Sequence, residues 1–193
     1  MYLDKHILQG STMQNDYTKI IHFWFNEIDH SYWFKKDLQF DQTITSRFQN
    51  IHTQAVQGEL YTWRHCGEGR LAEIIVLDQF SRNIYRNKPQ SFQYDSMALT
   101  LAQEAILQGY DKILQQEQKL FLYLPFMHSE SKMIHEQAVK IFEEYGIEGN
   151  LKFEYAHKKI IDEFGRYPHR NEILGRISTA AEIDFLKGPN SSF

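Results

Sequence analysis

Cysteine is almost absent from this chain. Cys66 stands alone, so no intrachain disulfide forms and no Cys-rich zinc or iron–sulfur centre can be built, a usage that fits a reducing compartment. Proline and glycine are scarce as well, with four and ten residues among 193, too few breakers for a chain of many short strands. Positive charge is not in excess. Twenty-one Lys and Arg stand against 25 Asp and Glu, a formal net charge of -4, so no bulk positive field gathers nucleic acid or anionic lipid. Long apolar runs are missing too: the longest, residues 120–127, falls far below the roughly 20 residues a membrane helix needs. Residues 1–13 carry Asp4 and Lys5 and have neither an apolar signal core nor a small-residue cleavage pattern. These absences predict a cytoplasmic protein with no nucleic-acid and no membrane partner.

What is present is apolar residues at helical spacing, and 42% apolar content suffices for one domain. Tyr17, Ile20, Ile21, Trp24 and Ile28 form a 3.6-period stripe that predicts a helix over about 15–29. Phe40, Ile44, Phe48, Ile51 and Ala55 form a second, with Gly58 placed as its left-handed cap. Over about 70–85, Ile74, Ile75, Val76 and Leu77 in succession leave no polar stripe, which predicts a central helix surrounded by protein. Asp95 is positioned to cap a helix running to Ile106, with Ala98, Ala102 and Ala105 on a thin packing face and Gly109 at its end. A helix from about Gln115 meets Pro125, where it is expected to bend or stop. Glu130 to Tyr145 follows, with Ile134, Ala138, Ile141 and Tyr145 on one side before Gly146. Asn150 to Phe164 then turns Phe153, Ile160 and Phe164 inward. Gly165 and Pro168 bracket a turn, a short helical piece holds Ile173 and Leu174, and Thr179 with Glu182 forms a capping box. The expectation is all-α: about eight to nine helices in antiparallel hairpins, as a bundle or a short superhelix. Residues 1–13 lack a stripe and are set aside as an extension; 14–193 is expected to be a single helical domain.

Several polar groups invite a functional reading. Asp78, Arg82 and Arg86 stand at i, i+4 and i+8 on the most apolar helix, where charges must be paired or pay a desolvation cost of several kcal/mol. They read either as a buried strut or as an anion clamp in which Asp78 holds Arg82. Residues 164–171, Phe-Gly-Arg-Tyr-Pro-His-Arg-Asn, put Arg166, His169, Arg170 and Asn171 on a turn, all donors suited to carboxylate or phosphate. His128 and Glu130 follow the Pro125 break, and breaks near pockets expose side chains. His157 lies on an inward stripe, where a lone histidine is usually a satisfied core residue. Glu154-x-x-His157 and Glu27-x-x-His30 match di-iron spacing, but such pairs arise by chance among nine histidines and no further inward Glu pair accompanies them, so no metal is expected. Cys66 lacks an assigned base, and Ser129-x-x-Lys132 lacks the companion motifs of acyl-transfer enzymes. No phosphate loop or dinucleotide fingerprint occurs, so no cofactor is expected.

Four segments in order, Phe23-Trp24-Phe25, Leu77-Asp78-Gln79-Phe80-Ser81-Arg82-Asn83, Leu124-Pro125-Phe126-Met127-His128-Ser129-Glu130 and residues 164–171, resemble the bacterial DUF924 family. The resemblance runs from about Tyr17 to Leu186 and implies an all-helical, tetratricopeptide-like fold without an established activity. Ser81 stands where the family usually has Pro, and Tyr167 where it usually has Phe. Together these readings expect Asp78, Arg82, Glu130, Arg166, Arg170 and Asn171 to line one pocket for a small anionic molecule. His128 or His169 would be its acid or base. The alternative is a non-catalytic, tetratricopeptide-like scaffold whose concave face takes a protein or peptide partner, the polar set serving as internal struts.

Overall fold

The computed structural model describes residues 16–144, 148–189 and 191; the expected extension over 1–13, and Tyr145 with Gly146, lie outside them. Every regular element among the described residues is helical. No helix among them is long and apolar enough to cross a membrane.

Helix α1, Asp16–His22, runs into a wide π-type turn at Phe23–Glu27 and buries Ile20, Ile21, Phe23 and Trp24. Helix α2, Leu38–Val56, starts where the Asp37 carboxylate accepts the N–H groups of Gln39 and Phe40 at 3.0 and 3.1 Å. It is followed by Gly58 at a left-handed φ of 75°. Its Phe40 and Phe48 meet Phe23, Trp24 and Phe80 in an aromatic core, with Phe23 and Phe48 ring centres 4.8 Å apart.

The central helix is as the apolar run predicts. Helix α3, Gly67–Ile75, passes through a second wide turn, Val76–Phe80, into α4, Ser81–Ile84, and every residue from 71 to 81 is buried. Gly69 is obligatory there, because a Cβ would fall 2.0 Å from the Trp63 carbonyl oxygen. Helix α5, Asp95–Leu107, packs on α3 and buries the three alanines. Helix α6, Gln116–Met127, opens with a capping box between Gln115 and Gln118.

Two local readings need correction. Pro125 does not stop α6 where it stands: the helix runs through it to Met127, two residues later, with His128 as the C-cap. Asp95 does not cap α5; it makes no capping bond and sends its carboxylate elsewhere.

Helices α7, Lys132–Glu144, and α8, Glu148–Phe164, are antiparallel. Lys132 Nζ donates to the Asp162 carbonyl at 2.8 Å near one end, and Tyr155 donates its hydroxyl proton to Glu143 at 2.7 Å near the other. Phe153, expected to face inward, is 55% exposed. Gly165, at φ 69°, reverses the chain after α8. A tight turn at Pro168–Arg170 follows, Ile173 and Leu174 lie in turns rather than a helix, and the Thr179–Glu182 box opens α9, Ala180–Leu186.

Candidate functional site

The wide turn between α3 and α4 carries Asp78 fully buried in the core, where an isolated carboxylate would be strongly disfavoured. It is instead surrounded by donors. His128 Nδ1 lies 2.7 Å from Oδ1, Arg82 Nη1 3.0 Å from the same oxygen, and Gln79 Nε2 donates to Oδ2 at 2.6 Å. Burial pushes the carboxyl pKa up, but Arg82 and His128 outweigh it and hold the group well below the usual carboxylate range. Arg82 also forks onto Asp95 at 2.9 and 3.0 Å, Asp95 accepts from Arg170 at 3.1 Å, and Arg170 donates to the His128 carbonyl at 3.1 Å. The chain of contacts therefore closes into a ring: Asp78, Arg82, Asp95, Arg170, His128. The Arg170 guanidinium lies 4.5 Å from the Phe92 ring centre and 4.6 Å from that of Tyr167.

One face of this ring borders a cavity of about 370 Å³. Arg82, Arg86, Arg170, Lys35 and Lys36 line it together with the rings of Trp33, Phe34, Phe92, Phe153 and Tyr167, and among the described residues no carboxylate lines it. The acids that neutralise these cations stand behind them: Asp78 and Asp95 behind Arg82 and Arg170, and Asp41 behind Arg86. Lys35 is 3.4 Å from Asp37, whereas Lys36 has no ion-pair partner among the described residues. A second cavity of about 440 Å³ lies across the wall formed by Phe92, His128 and Arg170, and there Asp95, Glu130 and Ser129 face inward.

His128, His157 and His169 all line the first cavity. An ionised carboxylate only accepts, so the Asp78 contact requires the proton of His128 on Nδ1 and leaves the lone pair on Nε2. No hydrogen-bond partner engages Nε2 among the described residues. Burial, followed by the Arg82 charge, lowers the His128 pKa below its ordinary 6.5 despite the opposing pull of Asp78. Burial takes His169 down to about 4 and His157 to about 3. His169 is therefore neutral near pH 7 and contributes no positive charge to the cavity.

Of the residues expected to converge, Asp78, Arg82, His128 and Arg170 belong to the ring, and His169 lines the same cavity. Three others are directed away. Glu130 faces the second cavity, bound by Arg176 at 2.6 and 2.9 Å and by the Tyr167 N–H at 2.7 Å. Arg166 forks onto Glu182 at 2.6 and 2.8 Å, and Asn171 joins Ser178 to Arg176 at 3.0 and 2.9 Å. These are corrections to the single-pocket reading: in so tight a turn neighbouring side chains leave in opposite directions, and this half holds the turn to α9. Asp95 was missed. As an acid at a helix start it resembles a cap, and its partners lie 13 and 75 positions away. Glu154 pairs with His135 at 2.6 Å rather than acting with His157, and no group of three metal-ligating side chains converges among the described residues.

The molecule is thus an all-helical protein with a charged ring built into its core beside an aromatic cavity. Residues 20–190 match the family described as a bacterial protein of unknown function (DUF924), and the chain belongs to that family. The fold is similar to a solved structure of a protein of unknown function from Agrobacterium tumefaciens, at 34% identity and a TM-score of 0.83, over 89% of this chain and 97% of that one. No curated protein matches the chain.

Proposed function

We propose that the cavity binds a small organic anion and that His128 acts on it as a general base. The observation that carries this reading is the lining itself: five cationic side chains face a cavity of about 370 Å³ to which no carboxylate among the described residues contributes. Sites of roughly 300–1,000 Å³ accommodate small molecules, and aromatic walls around a few fixed polar groups are their usual composition. Arg82 and Arg170 are held in place before any ligand arrives, by Asp78 and Asp95 behind them, so little side-chain entropy is lost on binding. Lys36 supplies charge that no acid among the described residues pairs with.

His128 suits proton abstraction for a different reason. Asp78 fixes its tautomer, the lowered pKa keeps it neutral at pH 7, and Nε2 retains its lone pair. A ligand carrying an acidic C–H, O–H or N–H beside its anionic group would present that proton to this atom.

The test is a thermal-shift screen of organic carboxylates and phosphates with wild type, Lys36→Glu and His128→Gln. A compound at 100 times its Kd stabilises the fold by about 2.7 kcal/mol. The expected outcome is a hit whose shift shrinks in Lys36→Glu and persists in His128→Gln, where the amide still donates to Asp78 but no base remains. Turnover of that hit by wild type and not by His128→Gln completes the case. Absence of any hit, together with recovery of a peptide partner that binds wild type and Lys36→Glu alike, overturns it in favour of a scaffold.

A further inference from the structure

Resting on that reading, we infer that the anion is an aryl carboxylate, whose ring lies between Phe34 and Phe153 at the cavity mouth while its charged end points to the Arg82–Arg170 wall. The burial of the lining sets the direction. Tyr167, Met127, Leu124 and Arg170 form a buried floor, at most 6% exposed, whereas Phe34 and Phe153 are 67% and 55% exposed. These two phenyl rings come from different elements, the segment just before α2 and the second turn of α8, yet both line the same cavity. Single exposed apolar side chains are commonplace on proteins. Two large ones lining one cavity are apolar surface that a ligand removes from water. Lys35 and Lys36 follow Phe34 in the chain, so charge stands beside the apolar lip from the same segment.

The rings already in place also favour a flat body over a flexible chain. Trp33 is fixed by the stacking of His30 at 3.8 Å and by its indole N–H, which donates to the Trp24 carbonyl at 3.0 Å. Aromatic rings held in this way offer faces and edges to another ring at no cost in side-chain freedom. Trp33 is also a direct reporter, because Trp24 and Trp63 are fully buried and only Trp33 lines the cavity.

Titrations of Trp33 fluorescence with acetate, benzoate, 2-naphthoate and octanoate test the assignment, using wild type, Phe34→Ser and Phe153→Ser. Covering a ring at about 25 cal/mol per Å² tightens binding by roughly a hundredfold from acetate to benzoate, with a further gain for 2-naphthoate. Each serine variant is expected to lose about tenfold of the naphthoate affinity and none of the acetate affinity. Both positions are exposed, so the variants retain the fold, which far-UV circular dichroism verifies. Acetate binding as tightly as 2-naphthoate, with both weakened by Lys36→Glu, would leave the anion site standing and overturn the aryl arm. Octanoate equal to 2-naphthoate would overturn the preference for a ring, and failure of all four to bind would overturn this inference, whereas the anion site falls only if the phosphates fail to bind as well.

Discussion

Two buried acid–imidazole pairs stand in this protein, and they differ less in geometry than in what surrounds them. Asp78 and His128 are 2.7 Å apart, Glu154 and His135 2.6 Å, and both acids are buried. Around the first, an arginine and a glutamine crowd in, and the carboxyl is held ionised. Around the second no guanidinium approaches: Glu154 Oε2 has no hydrogen-bond partner among the described residues, and burial raises the pKa. The imidazoles diverge further. His135 spends both nitrogens, Nδ1 on Glu154 and Nε2 on the Ser129 carbonyl at 2.8 Å and the Tyr167 hydroxyl at 3.1 Å. Among the described residues His128 spends one, Nδ1, and the residue lines a cavity. An acid–histidine pair alone therefore says little about function; on the function proposed above, an uncommitted ring nitrogen beside a cavity is what would separate a reactive pair from a strut.

The largest expected effect distinguishes the two acids by stability. Asp78→Ala leaves Arg82 in the core with half its neutralisation, and breaking a buried pair in this way costs about 3–5 kcal/mol. Glu154→Gln preserves an acceptor for His135 without removing a charge that any arginine needs, and should cost about 1 kcal/mol or less. Urea denaturation at pH 7 measures both, and equal losses would erase the distinction between the pairs.

A smaller effect, spread over pH, comes from histidines buried in the neutral state. Folding lowers His52 to about 4, His157 to about 3 and His169 to about 4, in each case chiefly by burial. In the unfolded chain these groups take up protons near pH 6.5. As pH falls below that point the unfolded state binds the protons first, so stability is complete above about pH 6.5 and is lost downward toward pH 4. Each histidine contributes a slope of about 1.4 kcal/mol per pH unit in that window. His157→Gln should flatten the measured slope by that amount, and an unchanged slope would show that the side chain is not held neutral.

Local signals were legible in the sequence, and contacts between distant segments were not. The aromatic stripe of α1, the Gly58 terminus, the buried central helix, the Thr179–Glu182 box and the Asp78–Arg82 spacing all depend on residues within a few turns of one another. The ring needed Asp95 and Arg170, which meet Arg82 and His128 only after the chain has folded back on itself. Residues 164–171 misled for the opposite reason. Their density of donors is real, but Arg166 and Asn171 are consumed in attaching the turn to α9 and its approach, and only His169, Arg170 and Tyr167 line the cavity. Cavity-facing rings such as Trp33, Phe34 and Phe92 carry no periodic mark, since they lie in connecting segments.

The contrast between the two imidazoles can be observed directly by nitrogen-15 NMR of the histidine side chains, recorded from pH 5 to 8 with and without 2-naphthoate. His128 is expected to be neutral at pH 7 with its proton on Nδ1, titrating below 6.5, and its Nε2 resonance to move when the carboxylate is added. The His135 resonances should stay where they are. A His128 that is already protonated at pH 7, or a ligand that shifts both histidines equally or neither, would contradict that contrast.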